Sequence, residues 1–390
     1  MTPTITKFLP FNIPLIEKEE IDAAVEVLES GWLTTGPKVQ QFEEAFAAYL
    51  GVKHAVAVSA ATAALHLALD AIGLKDGDEV IIPTLTFAAT GNVVTYCGAR
   101  PVLVDCEPWH FTIDPGAVER AISPRTKVII PVHFAGHPSE MDTLLHIAKR
   151  NNLKIIEDAA HALPARYDGR MVGTIGDITC FSFYANKTMT TGGEGGMAVT
   201  ASLEIADRIR MMRLHGITKD AWQRYTPTGS WRYEILDAGY KYNLSDLSAA
   251  IGLAQLRKSS RMWNRRAELA QRYNLALANC DAYQLPMVSP DVSHAWHLYI
   301  IVVNPIALGI GRDQLMKELR ERGIGSSVHF IPLHLHRYYQ EFWGYARGQF
   351  PVAENYSERC LSLPLFPRMS DDDVDRVAEA LLDIAHEFCA

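Results

Sequence analysis

The chain has 390 residues, 48% of them hydrophobic and 21% charged, a globular composition long enough for one large domain and a smaller one. Its net charge is −8 and it carries no basic run, which argues against nucleic acid as a partner. The longest apolar stretch, Ala55 to Leu74, is interrupted by Ser59, Thr62, His66 and Asp70, so it reads as a strand and a buried helix rather than a membrane span.

The N-terminus, MTPTITKFLPF, lacks the charged-then-apolar pattern of a signal sequence. From residue 17 to about 215, apolar strand runs alternate with helical patterns. KHAVAVS (53–59) is β-rich, and TAALHLALDAIG after it predicts a helix closing at Gly73. DEVIIP (78–83) is the next strand and FAATGNVVTYCG the next helix. RPVLVDC, TKVIIPVHF and LKIIEDAA continue the strand series, with MDTLLHIAKRNN as an intervening helix. Short, continuously apolar strands joined by helices predict a mostly parallel sheet covered on both faces, hence an α/β fold.

SDLSAAIGLAQLRK (245–258) and RMWNRRAELAQRYNLALANC (261–280) predict consecutive long helices. Beyond them HLYIIVV and GSSVHF read as strands, and RDQLMKELRERG and DDDVDRVAEALLDIAHEF as helices. The change of order predicts a large α/β domain over 1–259 and a smaller α+β domain over 260–390. Cysteines 97, 106, 180, 280, 360 and 389 share no CxxC or regular spacing. Free thiols in a reducing cytoplasm are the expectation, with neither a zinc site nor a disulfide framework.

Three places carry chemistry. In VSAAT, Ser59 closes a strand while Ala61 and Thr62 open a helix. Small side chains there leave backbone N–H groups free at the positive end of the helix, a ready anion site. The plain alternative is an ordinary turn with Thr62 near the cap. In LKIIEDAAHA, Asp158 stands at the carboxyl end of a strand, where open α/β sheets bind ligands. Flanking alanines would let a flat ring approach. A helix-capping Asp158 is the alternative; Asp158 and His161 could start a metal set, but no further cluster completes one.

The third place is FSFYANKTMTTGGEGGMAVT, where Lys187 precedes a run of glycines. Gly193 to Ala198 formally matches GxGxxG/A, yet MAVT reads as a strand where that fingerprint needs a helix. A phosphate-gripping loop of the Walker type has its lysine after the glycines, not before them. A covalent role remains. A lysine amine beside a phosphate-binding turn and a strand-end aspartate suits pyridoxal phosphate, with Lys187 forming the Schiff base and Asp158 pairing with the pyridine nitrogen. Ala61, Thr62 and the hydroxyl of Ser182 would hold the phosphate, and the glycines would let the chain turn around the cofactor.

SGWLTTGPKV, VSAATAAL, PTLTFAAT, EDAAHA, FSFYANK, GGEGGM, GYKYNLSDLSAAIGLAQL and SLPLFP occur in that order along the chain. In these stretches the chain resembles the DegT/DnrJ/StrS family of pyridoxal-phosphate sugar aminotransferases, which have the aspartate-aminotransferase fold. The resemblance implies glutamate as amino donor, a nucleotide-linked keto-sugar as acceptor, and a homodimer with shared active sites. It assigns Lys187 to the Schiff-base lysine, Asp158 to the partner of the pyridine nitrogen, and His161 to the neighbour of the ring hydroxyl. Phe87 matches the aromatic that stacks on the ring, although a core phenylalanine is its plain alternative. His329, Tyr184 and Trp32 fall on the substrate side.

Much of the family has Gly-x-Asn-Tyr-Arg where this chain has Gly239-Tyr240-Lys241-Tyr242-Asn243. The family's asparagine reaches the neighbouring subunit's phosphate, so here Lys241 and Asn243 compete for that role. GYKYN, HAWHLYII and GIGSSVHF are similar to the branch that makes 4-amino-4-deoxy-L-arabinose on a uridine diphosphate carrier for lipid A modification. A uridine-linked 4-keto pentose is therefore the expected acceptor. A 4-keto-6-deoxyhexose or 3-keto sugar, a sugar dehydratase, and a non-catalytic regulator are the rivals; the last two should have lost Lys187 or Asp158.

Overall fold

The computed structural model describes residues 8–218 and 233–388; Cys389 lies outside them. Two helices come first, α1 (Lys18–Ser30) and α2 (Pro37–Leu50). Sequence reading picked out neither, although Pro37 at the first turn of α2 marks a helix start. Next come β1 (His54–Val58), α3 (Ala61–Ala71), β2 (Glu79–Pro83), α4 (Ala88–Tyr96), β3 (Arg100–Val104), α5 (Pro115–Ala121), β4 (Thr126–Ile129), α6 (Met141–Arg150) and β5 (Lys154–Asp158). A small hairpin, β6 (Arg166–Tyr167) and β7 (Arg170–Met171), turns at Asp168-Gly169. After it come β8 (Ile178–Ser182), β9 (Gly196–Thr200) and α7 (Leu203–Met212).

Seven of these strands form one sheet in the order β1-β9-β8-β5-β4-β2-β3. Pairing is parallel from β8 to β3, and β9 alone runs against its neighbours. The period-2 alternation of strand side chains divides the core. Val56, Val58, Ile156 and Cys180 pack with α3 on one face. Ala55, Ala57, Phe181 and Met197 pack with Phe42 and Phe46 of α2 on the other. Both faces are covered, which is why the strands are apolar throughout.

The expected long helices are α8 (Asp246–Arg257) and α9 (Ser259–Leu277). Beyond them run β10 (Tyr283–Gln284), β11 (Val292–Ser293), β12 (Tyr299–Val303), α10 (Pro305–Leu308), α11 (Arg312–Glu321), α12 (Arg337–Trp343), α13 (Pro351–Arg359), β13 (Cys360–Leu363) and α14 (Asp371–Phe388). A three-stranded sheet, β10-β12-β13, packs with α9, α11 and α14 in a separate apolar cluster that also takes in Leu9. β11 pairs with β6 of the hairpin, tying the two halves together. The expected strand at GSSVHF does not form. Only Ser327 pairs, with Ser362, because the segment leaves the sheet and carries His329 and Phe330 toward the aromatic side chains Phe11, Phe87 and His161. Among the described residues no helix is long and apolar enough to cross a membrane.

Candidate active site

The carboxyl ends of β1, β2, β5 and β8 converge, and each delivers a side chain or backbone group. β5 ends on Asp158, which is only 5% exposed. Its Oδ2 accepts from Thr90 Oγ1 at 2.8 Å and its Oδ1 from the Ala160 N–H at 3.2 Å. Turns, not a helix, follow, so the helix-cap reading of Asp158 falls. Burial pushes its carboxyl up, while those hydrogen bonds and the nearby charge of Lys187 favour the ionised form.

Lys187 lies in the loop after β8. Phe183 N–H donates to Gly195 O at 2.8 Å and Ala185 N–H to Gly193 O at 2.9 Å, folding the glycine run back along the strand end. Gly192 and Gly193 hold φ of 91° and 144°, where a side chain would be strained. Burial lowers the Lys187 amine to about 8, against a pull upward from Asp158. Its Nζ has no hydrogen-bond or ion-pair partner among the described residues. The amine is therefore close to Asp158, desolvated and uncommitted.

His161 is buried with its Nδ1 unpartnered. Its ring lies 5.8 Å from Phe330 and 4.4 Å from His297, centroid to centroid. Burial first, then the charges of Lys187 and His329, hold it well below the usual range, so it is neutral. His329 shares a 2.7 Å hydrogen bond between Nδ1 and Ser362 Oγ, and burial lowers it to about 4. Phe87 is 62% exposed, its ring 5.9 Å from Phe330. It is not a core phenylalanine; the turn into α4 holds it out beside the site.

The candidate anion site is built from backbone. Ala60 precedes α3 without a side-chain cap, leaving the first N–H groups of the helix open. A Cβ on Gly196 would sit 2.5–2.6 Å from backbone atoms of Ala60 and Ala61, so β9 presses directly beneath that turn. Ser182 Oγ accepts from the Tyr184 N–H at 3.3 Å, leaving its proton available, and Tyr184 is exposed nearby.

Trp32, Lys241 and Asn243 belong to a second cluster. Asn243 Nδ2 donates to Thr35 Oγ1 at 2.7 Å, and Trp32 Nε1 to Thr35 O at 3.3 Å. Ser59 N–H donates to Tyr242 O at 2.7 Å, tying this cluster to the end of β1. The Lys241 side chain is exposed.

Sequence reading missed Thr86, Thr90, His297 and Phe330. For the threonines the signal lay in TLTFAAT, which places two hydroxyls four residues apart at a strand end. His297 and Phe330 lie in the HAWHLYII and GIGSSVHF stretches, but no local feature singled out either residue, and both reach the site through the tertiary fold. Among the described residues no group of three His, Cys, Asp or Glu could hold a metal.

An uncapped helix turn, a desolvated amine beside a buried carboxylate and an imidazole with an orphaned nitrogen fit the phosphate, aldehyde and ring of pyridoxal phosphate. Comparison with known proteins agrees. The chain is 52% identical over 378 residues, 97% of each protein, to the spore coat polysaccharide biosynthesis protein SpsC of Bacillus subtilis. Its structure resembles Spr1654 of Streptococcus pneumoniae, described as a candidate sugar aminotransferase, in its PMP form: TM-score 0.91, 34% identity, 97% of this chain and 100% of that one. The PLP form of the same protein matches with a TM-score of 0.90, 33% identity, and 98% and 100% coverage. Helicobacter pylori PseC, an aminotransferase involved in the biosynthesis of pseudoaminic acid, gives a TM-score of 0.91 at 29% identity, covering 98% and 100%. Residues 14–382 match the DegT/DnrJ/EryC1/StrS aminotransferase family; the chain belongs to that family, and it is a pyridoxal-phosphate-dependent sugar aminotransferase.

Proposed function

We propose that the chain moves an amino group from glutamate to the keto carbon of a nucleotide-linked 4-keto sugar, working as a homodimer with shared active sites. The observation that carries the catalytic part is the convergence of Lys187, Asp158 and His161 at the strand ends, beside an uncapped helix. Bound pyridoxal phosphate supplies an aldehyde to carry the amine and a ring that withdraws electrons. Lys187 Nζ, lowered to about 8, takes and returns a proton near neutral pH as general base and acid. Asp158 holds positive charge on the ring nitrogen, and neutral His161 offers its free Nδ1 to the ring hydroxyl. The first turn of α3, with Ser182, binds the phosphate.

For the acceptor, GYKYN and HAWHLYII favour a uridine-linked 4-keto pentose. SpsC and PseC carry names from spore coat polysaccharide and pseudoaminic acid synthesis, so ring size and the 6-position belong in the test. For the dimer, α1 exposes Ile21, Val25 and Leu28 along one helical stripe, followed by exposed Leu33. A second copy of the chain is the proposed cover. The deciding experiment supplies glutamate with a panel of nucleotide-linked 4-keto and 3-keto sugars and resolves the products by mass and NMR. Amination of the 4-keto compounds is expected, the uridine-linked pentose among the best; exclusive use of a 3-keto sugar overturns the reading.

A further inference from the structure

Asp158 is joined to a chain of buried hydroxyls that no part of the proposed chemistry has used. Thr90 Oγ1 lies 2.8 Å from Asp158 Oδ2, and Thr86 Oγ1 lies 2.7 Å from Thr90 Oγ1. All three side chains are buried. Hydrogen counting gives this chain a direction. An ionised carboxylate only accepts, so the single proton of Thr90 is committed to Oδ2. Thr86 must then donate to Thr90. The two dipoles align toward the carboxylate, and in a dry site such a chain polarises each bond in turn.

The other neighbours of Asp158 do not replace it. The Ala160 N–H binds the opposite oxygen. His133 accepts the Ser139 N–H on Nδ1 at 3.0 Å, so its proton sits on Nε2, 2.8 Å from Glu157. Its ring serves Glu157, while only its backbone N–H reaches the Asp158 carbonyl, at 3.0 Å. Lys187 acts on Asp158 through its charge alone, with no hydrogen bond to the carboxylate among the described residues. The Thr90 N–H donates to Phe87 O at 3.2 Å, so the turn that sets the exposed aromatic ring also sets the hydroxyl under the carboxylate.

We propose that Thr90, backed by Thr86, is a positioning residue that keeps the Asp158 carboxylate ionised and aimed, and thereby holds the proton on the cofactor's ring nitrogen. This rests on the reading of Asp158 as that nitrogen's partner. Without the Thr90 hydroxyl, a buried carboxylate loses a hydrogen bond made only to its charged form, and its proton affinity rises. The shared proton moves from nitrogen to oxygen.

The test uses full-length enzyme loaded with pyridoxal phosphate labelled with 15N in the ring, observed by solid-state NMR. Thr90→Val is expected to move the nitrogen resonance toward that of neutral pyridine. It should lower kcat by about tenfold to a hundredfold, the worth of a hydrogen bond to a charged group, with KM for glutamate little changed. Thr90→Ser should restore both. Thr86→Val, which leaves the contact to Asp158 in place, should shift the resonance less and in the same sense, and it answers the question if Thr90→Val does not fold. Asp158→Asn is the control for the reading beneath: if its resonance does not move, that reading fails. If it moves and neither threonine variant does, the role of the threonines is overturned.

Discussion

Lys187 is kept where its charge is costly to hold. Burial depresses its amine to about 8, so near neutral pH more of it carries the neutral, nucleophilic form than an exposed lysine would. Only the neutral amine attacks an aldehyde, so capture should rise with pH through about 8 rather than near 10.5. Borohydride trapping of pyridoxal phosphate on the apoprotein, followed by peptide mapping, should find the label on Lys187 with that midpoint. Lys187→Ala should abolish turnover while still binding some cofactor through the phosphate site; full activity in that variant would end its covalent role. Asp158→Asn should retain cofactor and lose most of kcat, because an amide cannot balance a pyridinium charge; near-normal turnover would leave the aspartate a structural pair. Both residues were legible in the sequence because their chemistry is local: an amine before glycines, a carboxylate at a strand end. Thr90 was only half legible: TLTFAAT shows two hydroxyls four residues apart, but nothing local points either at Asp158 until folding brings β5 within 2.8 Å.

In the proposed site, helix α3 would act through what its first turn lacks. No side chain caps it, so its N–H groups and the positive end of its dipole are left to an anion. Gly196 of β9 keeps that turn in place by letting backbone meet backbone. Gly196→Ala would drive a Cβ to 2.5 Å from the Ala60 carbonyl carbon, and neither strand nor helix start can yield as a flexible side chain would. Pyridoxal phosphate titrated into apoprotein should therefore bind at least about tenfold more weakly to this variant, as expected when charge-assisted hydrogen bonds are lost. Unchanged affinity would show that the phosphate does not sit on α3. The strand–helix alternation around this site was visible from residue 53 onward, because strands covered on both faces are apolar along their whole length. GSSVHF misled for a related reason. Its β-prone composition is used to reach the site, and Ser327 is its single ladder contact. The antiparallel run of β9 could not be read, since a five-residue apolar run looks alike in either direction.

At the scale of the whole molecule, GYKYN separates a site built from one chain from a site built by two. The segment is anchored in its own chain: Tyr240 and Tyr242 stack at 5.0 Å, the Tyr242 carbonyl receives Ser59 N–H, and the Asn243 amide is engaged by Thr35. Asn243 is thus committed, and its loss would disturb the loop wherever the phosphate lies. Lys241 is exposed, with no hydrogen bond or ion pair among the described residues, and sits beside the end of β1. In a two-fold dimer with the α1 stripe at the contact, such a lysine can serve the partner's phosphate, since each subunit offers the same patch to the other. A charge-assisted hydrogen bond there is worth about 1.5–3 kcal/mol, so Lys241→Ala should weaken cofactor binding by about one to two powers of ten. Subunit mixing then decides the geometry. Lys187→Ala and Lys241→Ala should each be impaired alone, which is checked first, and with shared sites a mixed dimer gathers both lesions into one site and leaves the other whole. Activity should rise above that of either parent, toward about a quarter of the wild-type value when equal amounts are mixed at random, because half the dimers are mixed and half their sites are intact. Mixtures proven to exchange subunits, yet showing no recovery, would mean that Lys241 acts within its own chain.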